Sequence, residues 1–172
     1  MAHEGPTCVY AASYDDKASA DLDLVAVKQL HATGAISGFD AAIMQRDSTG
    51  HVHMHKDETS TRLGAWGGLV AGAVVGLLFP PAILATAAIG AALGGLGAHI
   101  WRGLSREDIR QLGAVVDDGA YGLIVLADGR LADVAPQAFS HANSYEQREV
   151  TGIDHNVVGE HVSTIVGLSG GD

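Results

Sequence analysis

Between Gly64 and Trp101 the chain reads GAWGGLVAGAVVGLLFPPAILATAAIGAALGGLGAHIW, 38 residues without a single Asp, Glu, Lys or Arg. A soluble monomer that exposed such a run would carry far more contiguous apolar surface than monomers tolerate. The stretch must therefore be covered by lipid or by protein. Pro80 and Pro81 divide it, because proline removes a backbone donor and pushes the preceding residue out of helical geometry. Residues 63–103 are thus predicted to form a hairpin of two helices.

Small residues recur at every fourth position: Gly64, Gly68, Gly72 and Gly76 in the first arm, then Ala82, Thr86, Gly90, Gly94 and Ala98 in the second. Glycine costs ~1 kcal/mol relative to alanine in an exposed helix. The compensating gain is close backbone approach between helices, as in membrane GxxxG contacts, and the stripe is the expected oligomerisation surface. A first arm of about 16 residues would reach ~24 Å against a bilayer core of ~30 Å, while a second arm of about 20 is long enough. Trp66 and Trp101 stand at the open ends with Arg62, Arg102 and Arg106 just outside, where interfacial anchors belong. The tip LLFPPAIL has no polar residue, which points to a buried tip, either re-entrant or inside an oligomer. The alternative to lipid is a water-soluble bundle in which hairpins of several subunits form the interior.

The flanking parts are acidic. Residues 1–62 carry nine acids and five bases, residues 105–172 carry eleven and four, and the net charge is −10. With no basic cluster, binding to nucleic-acid phosphates is excluded as an expectation. Cys8 is the only cysteine, so no intrachain disulfide can form; it reads as a buried structural thiol. The opening MAHEGPTCVY lacks a basic and an apolar region, so no cleaved secretory signal is expected.

The pattern predicts a short buried strand in TCVYAASY, then a helix begun by Ser19 or Asp21 with Leu22, Val25, Ala26 and Leu30 on the face that packs on a sheet. DAAIMQRD and HVHMHKDE read as a hairpin closed by Ser48, Thr49 and Gly50. After the insert, Ser105 and Asp108 form a near relative of a capping box ahead of Ile109, Leu112 and Val116. AYGLIVLAD reads as a fully buried strand. This order is that of a split βαβ, ferredoxin-like plan. The expected fold is α+β, an antiparallel sheet covered by helices on one face, with a glycine-zipper helical hairpin between strand 3 and helix 2. The domain organisation follows: 7–62 and 104–140 form a discontinuous α/β domain, 63–103 the hairpin, and 141–172 a C-terminal extension. Beyond Leu131 the signals weaken: LADVAPQAF suggests a short helix and REVTGI a short strand.

Three features bear on chemistry. His51, His53 and His55 alternate with Val52 and Met54, so a strand would align the imidazoles on one face about 6–7 Å apart. They could supply metal ligands, with Asp57 or Glu58 nearby, or form a polar, pH-responsive strand face. GGLGAH at 94–99 follows an apolar helix rather than a strand and has no Lys-Ser or Lys-Thr after it, so it is no phosphate cradle. Gly-x-Ser-x-Gly, His-Glu-x-x-His and Cys-x-x-Cys do not occur, and no catalytic residues or cofactor are expected.

HVHMHKDE followed by GAWGGLVAGAVVGLLFPP, a second glycine-rich helix and SREDIRQLGAVVDDGAYGLIVLAD resembles the bacterial domain of unknown function 1269 family, over roughly residues 7–140. The resemblance implies a predicted membrane protein with a cytoplasmic α/β domain and no known catalytic residues. The expected function is that of a non-enzymatic homo-oligomer of the bacterial inner membrane, with an envelope or stress role at the family level. The alternatives are a cytoplasmic soluble assembly and, more weakly, a metal or pH sensor on the histidine strand.

Overall fold

The structure, a computed structural model, describes residues 6–55, 78 and 103–154. Its element order is β1 (Pro6–Tyr14), α1 (Lys17–Ala32), β2 (Phe39–Arg46), β3 (Val52–His55), α2 (Arg106–Asp117), β4 (Tyr121–Asp128), α3 (Leu131–Ala138) and β5 (Ser144–Asp154). The fold is α+β, with one antiparallel five-stranded sheet in the order β3-β2-β4-β1-β5.

The central strands carry apolar residues at both parities, and both are buried almost throughout: β1 from Thr7 to Tyr14 and β4 from Gly122 to Asp128. A strand buried on both sides requires cover on both sides. Cys8, Tyr10, Ala12 and Tyr14 of β1, Leu123, Val125 and Ala127 of β4, and Phe39, Ala41 and Ile43 of β2 join Ala20, Leu24 and Val27 of α1 and Leu131, Ala135 and Ala138 of α3 in one core. The alternate residues face α2, where a Cβ built on Gly122 would lie 2.5 Å from Val116 Cγ1 and 3.2 Å from Met44 Cε. The expectation of helices on one face is therefore corrected: α1 and α3 cover one face and α2 the other.

β1 and β2 both run antiparallel to β4, which lies between them, and so run parallel to each other. The ferredoxin-like plan would put the second strand of the hairpin there. Here β3 pairs only with β2 at the sheet edge, and β5, from the part expected as an extension, pairs with β1 at the other.

α1 begins one turn earlier than the sequence suggests. Asp16 is its N-cap, with its carboxylate accepting from the Ser19 amide at 2.9 Å and from Ser19 Oγ at 3.0 Å. The inward face is Ala20, Asp23, Leu24 and Val27, whereas Leu22 and Val25 are 52% and 47% exposed. Of the stripe expected to pack on the sheet, Leu22 and Val25 thus face outward, Ala26 is half-buried and Leu30 packs partly buried against the core. Asp23 accounts for the rotation, because its carboxylate is drawn beneath the helix by polar partners on two other elements.

The capping box at α2 is present: Ser105 Oγ accepts from the Asp108 amide at 3.0 Å and Asp108 accepts from the Ser105 amide at 2.9 Å. Between α2 and β4, Gly119 comes so close to β1 that a Cβ there would meet Tyr14 O at 2.7 Å and Tyr14 N at 2.9 Å. Only glycine allows this turn to rest on the strand. The helical hairpin expected over 63–103 lies outside the described residues apart from Leu78 and Gly103. Among the described residues, no helix is long and apolar enough to cross a membrane.

Candidate functional site

The β2–β3 hairpin carries the three histidines. Its turn is fixed by Asp47, whose carboxylate accepts from the Thr49 amide, Thr49 Oγ1 and the His51 amide at 2.9, 2.6 and 2.9 Å, while Gly50 takes the left-handed conformation at φ 86°. His53 Nε2 donates to Asp47 Oδ2 at 2.8 Å, and His51 Nδ1 meets Thr49 Oγ1 at 2.7 Å. Thr49, His53 and the two amides hold the Asp47 carboxyl well below the usual carboxylate range, the Thr49 hydroxyl contributing most. His55 Nε2 bonds Gln45 Oε1 at 2.9 Å. His53 and His55 stand opposite Gln45 and Ile43 on the sheet face of α1 and α3, whereas His51 belongs to the turn. Each ring is thus engaged within the hairpin. Among the described residues, no group of three or more His, Cys, Asp or Glu is placed to hold a metal ion.

A second polar cluster has no counterpart in the sequence reading. The Asp23 carboxylate, with no exposed surface, accepts from Tyr14 Oη at 3.1 Å, from the His141 amide at 3.1 Å and from His141 Nδ1 at 2.7 Å. One carboxylate so ties α1 to the end of β1 and to the loop after α3. Burial raises the Tyr14 phenol, and the adjacent Asp23 charge adds to the rise. With Nδ1–H given to Asp23, the half-exposed His141 ring has its orientation fixed through one nitrogen. This is the arrangement that orients an imidazole for proton transfer or ligation. Ser140 Oγ lies 3.2 Å from the same Nδ1, and among the described residues no group of three or more His, Cys, Asp or Glu is placed there to hold a metal ion.

A third polar cluster forms around a second buried carboxylate, Asp128 at the end of β4, which accepts from the Ser37 amide and Oγ at 2.6 Å each, from the Arg130 amide at 3.0 Å and from Arg130 Nη2 at 2.9 Å. Its pKa falls to about 2: burial opposes the shift and is outweighed by the Arg130 and Ser37 hydrogen bonds. Between α1 and α3 runs an open groove of about 280 Å³, lined by Ala26, Gln29, Leu30, Thr33, Gln137 and Ala138.

The distant partners of Asp23 and Asp128, His141 and Ser37, lie 118 and 91 residues away in sequence. A hint existed in the acids themselves, since Asp23 interrupts an apolar helix face and Asp128 closes an apolar strand. Gly64, Gly68, Gly72, Gly76, Gly90, Gly94, Trp66, Trp101, Arg62 and Arg102, expected as packing and anchoring residues, lie outside the described residues, as do Asp57 and Glu58.

Comparison with curated proteins and with solved structures gives no match. A family model does match, over residues 65–161, which takes in the charge-free stretch, α2, β4, α3 and β5. The chain belongs to this family, described as protein of unknown function (DUF1269).

Proposed function

We propose that the chain is a non-enzymatic, membrane-associated homo-oligomer. In this reading a cytoplasmic α/β domain carries a glycine-rich helical hairpin into the bacterial inner membrane, in the service of envelope or stress physiology. The observation that carries it is the stretch 64–101, free of charge, repeating small residues every fourth position and flanked by Trp66, Trp101, Arg62 and Arg102. The described fold supports it. The chain leaves the sheet after His55 on edge strand β3, and Gly103 packs beside Val150 and Thr151 of the opposite edge strand. Four interstrand spacings, ~19 Å, separate those edges, a broad base for two helices. The β1-α1-β2 unit, with one strand between its parallel members, supports kinship with the split βαβ plan despite the different strand order.

One contact favours a second reading, a soluble assembly with the hairpins inside. Leu78, two residues before Pro80, has its carbonyl oxygen 3.8 Å from where a Cβ on Gly113 of α2 would stand. Backbone of the insert thus lies beside the α/β domain of its own chain. Alkaline carbonate extraction of membranes separates the readings: integral insertion predicts retention in the pellet, and release into the supernatant overturns it. Gly72→Leu is expected to abolish the oligomer while leaving the α/β domain folded, as read by mass in detergent and in plain buffer.

A further inference from the structure

Among the described residues, the only large apolar side chains that stand exposed are Leu22 and Val25, both on α1. They are two members of an exposed series, Ala18, Leu22, Val25, Gln29 and Ala32, spaced four, three, four and three residues apart. That is the spacing of a coiled-coil seam, and it lies opposite the buried face of Ala20, Asp23, Leu24 and Val27. Small residues at both ends and branched apolar ones at the centre allow a second helix to approach closely.

The flanks of the seam identify that helix. Asp21 and Lys28, seven residues apart, share one flank, while Ser19, Ala26 and Thr33 occupy the other. A parallel copy would bring the charged flank against the uncharged one, with no opposite charge facing it across the seam. An antiparallel copy, related by a two-fold axis through Val25, faces the charged flank with itself. Asp21, already holding Lys17 at 2.8 Å, then meets the partner's Lys28, and Lys28 meets the partner's Asp21. The other flank borders the groove between α1 and α3, which leaves room for the partner's side chains.

From this self-complementarity we infer that α1 is a two-fold contact between copies of this chain, an antiparallel helix pair centred on Val25. It deepens the homo-oligomer part of the proposed function and is independent of the membrane part. The occupant is a second copy because the charge pattern complements itself only in that orientation.

Single-cysteine cross-linking on the full chain tests it, with the wild type as control because its one cysteine, Cys8, is buried. Under mild oxidation Val25→Cys is expected to form a disulfide-linked dimer, while Asp118→Cys, an exposed site at the end of α2, is not. Asp21→Lys in the Val25→Cys background should lower the yield roughly tenfold, through like charges facing one another. Adding Lys28→Asp should restore it. Equal yields at positions 25 and 118, or no restoration by the charge swap, overturn the seam. If the native chain keeps an oligomeric mass while Val25→Cys fails to cross-link, the seam alone is wrong. A monomeric mass would sink the homo-oligomer reading with it.

Discussion

The two faces of the sheet are filled in opposite ways. Beneath α1 and α3 lie Tyr10, Tyr14, Phe39 and Phe139, with Phe139 stacked between Tyr10 at 5.6 Å and Tyr145 at 5.3 Å. Beneath α2 the strands β1, β2 and β4 present no aromatic side chain: Val9, Met44, Ile124 and Leu126 share that parity with Ala11, Ser13, Ala42 and Gly122, and a Cβ on Gly122 would lie 2.5 Å from Val116 of the helix. Two helices over aromatic side chains make a thick layer, and one helix over aliphatic and small side chains, closing on the sheet at Gly122, makes a thinner one there. A thick layer should fail when volume is removed and a thin one when volume is added, because cavities and overpacking are penalised separately.

The largest effect is therefore expected at Phe139→Ala. Removing a ring that is 3% exposed and stacked on both sides should cost about 3–5 kcal/mol, lowering Tm by roughly 10 °C in a chain of this size. Thermal or urea unfolding reads it directly. A loss below about 1 kcal/mol would mean the aromatic layer collapses without penalty, and the contrast between faces would fail.

Next comes the rim, where charge rather than volume is at stake. Asp128 has no exposed side-chain surface and a pKa lowered from 3.8 to about 2. A carboxylate depressed in this way contributes stability that is fully present above its unfolded pKa and is lost as pH falls through the folded one. The contribution is about 2 kcal/mol. Asp128→Asn should remove roughly that amount at neutral pH and flatten the acid limb of stability between about pH 4 and 2. An acid limb of unchanged steepness in the variant would assign that limb to other carboxylates.

A comparable or slightly smaller cost tests the thin face. The Cβ introduced by Gly122→Ala would sit 2.5 Å from Val116 Cγ1, and Val116 is β-branched and poorly able to turn away. We expect a loss of about 1–3 kcal/mol. The sharper test is the double variant Gly122→Ala/Val116→Ala, which should recover part of that loss because the two changes share one contact. Additive losses would show that the close approach of α2 is not limited there.

Part of this contrast could be read in the sequence and part could not. The unbroken apolar runs in CVYAASY and YGLIVLA already implied strands covered on both faces, yet strand and helix order alone suggested cover on one. Ser105 with Asp108 located α2, and Ser48, Thr49 and Gly50 located the β-hairpin, because caps and turns are written within a few residues. α1 was misjudged by rotation. Leu22, Val25, Ala26 and Leu30 have the apolar spacing, but Asp23 is pulled inward by Tyr14 and by His141, 118 residues away, and no local pattern records a partner so distant. The place of β4 between β1 and β2 was hidden for the same reason, since pairing across the insert depends on tertiary contacts. The three histidines were rightly assigned to a hairpin, but their partners Asp47, Thr49 and Gln45 come from the turn and from β2.

The smallest expected effects fall within the thick face and divide two tyrosines of one strand. Both are fully buried on β1, yet Tyr14 Oη donates to Asp23 at 3.1 Å while Tyr10 Oη has no hydrogen-bond partner among the described residues. Tyr14→Phe removes one of the donors to a buried carboxylate and should cost about 1–2 kcal/mol. Tyr10→Phe removes a polar atom that is buried without compensation, so stability should be unchanged or rise by up to ~1 kcal/mol. Matched urea titrations of the two variants measure the difference. Equal losses would place a hidden acceptor beside Tyr10, whereas a neutral Tyr10→Phe against a costly Tyr14→Phe would separate what the thick layer owes to volume from what it owes to the Asp23 clasp.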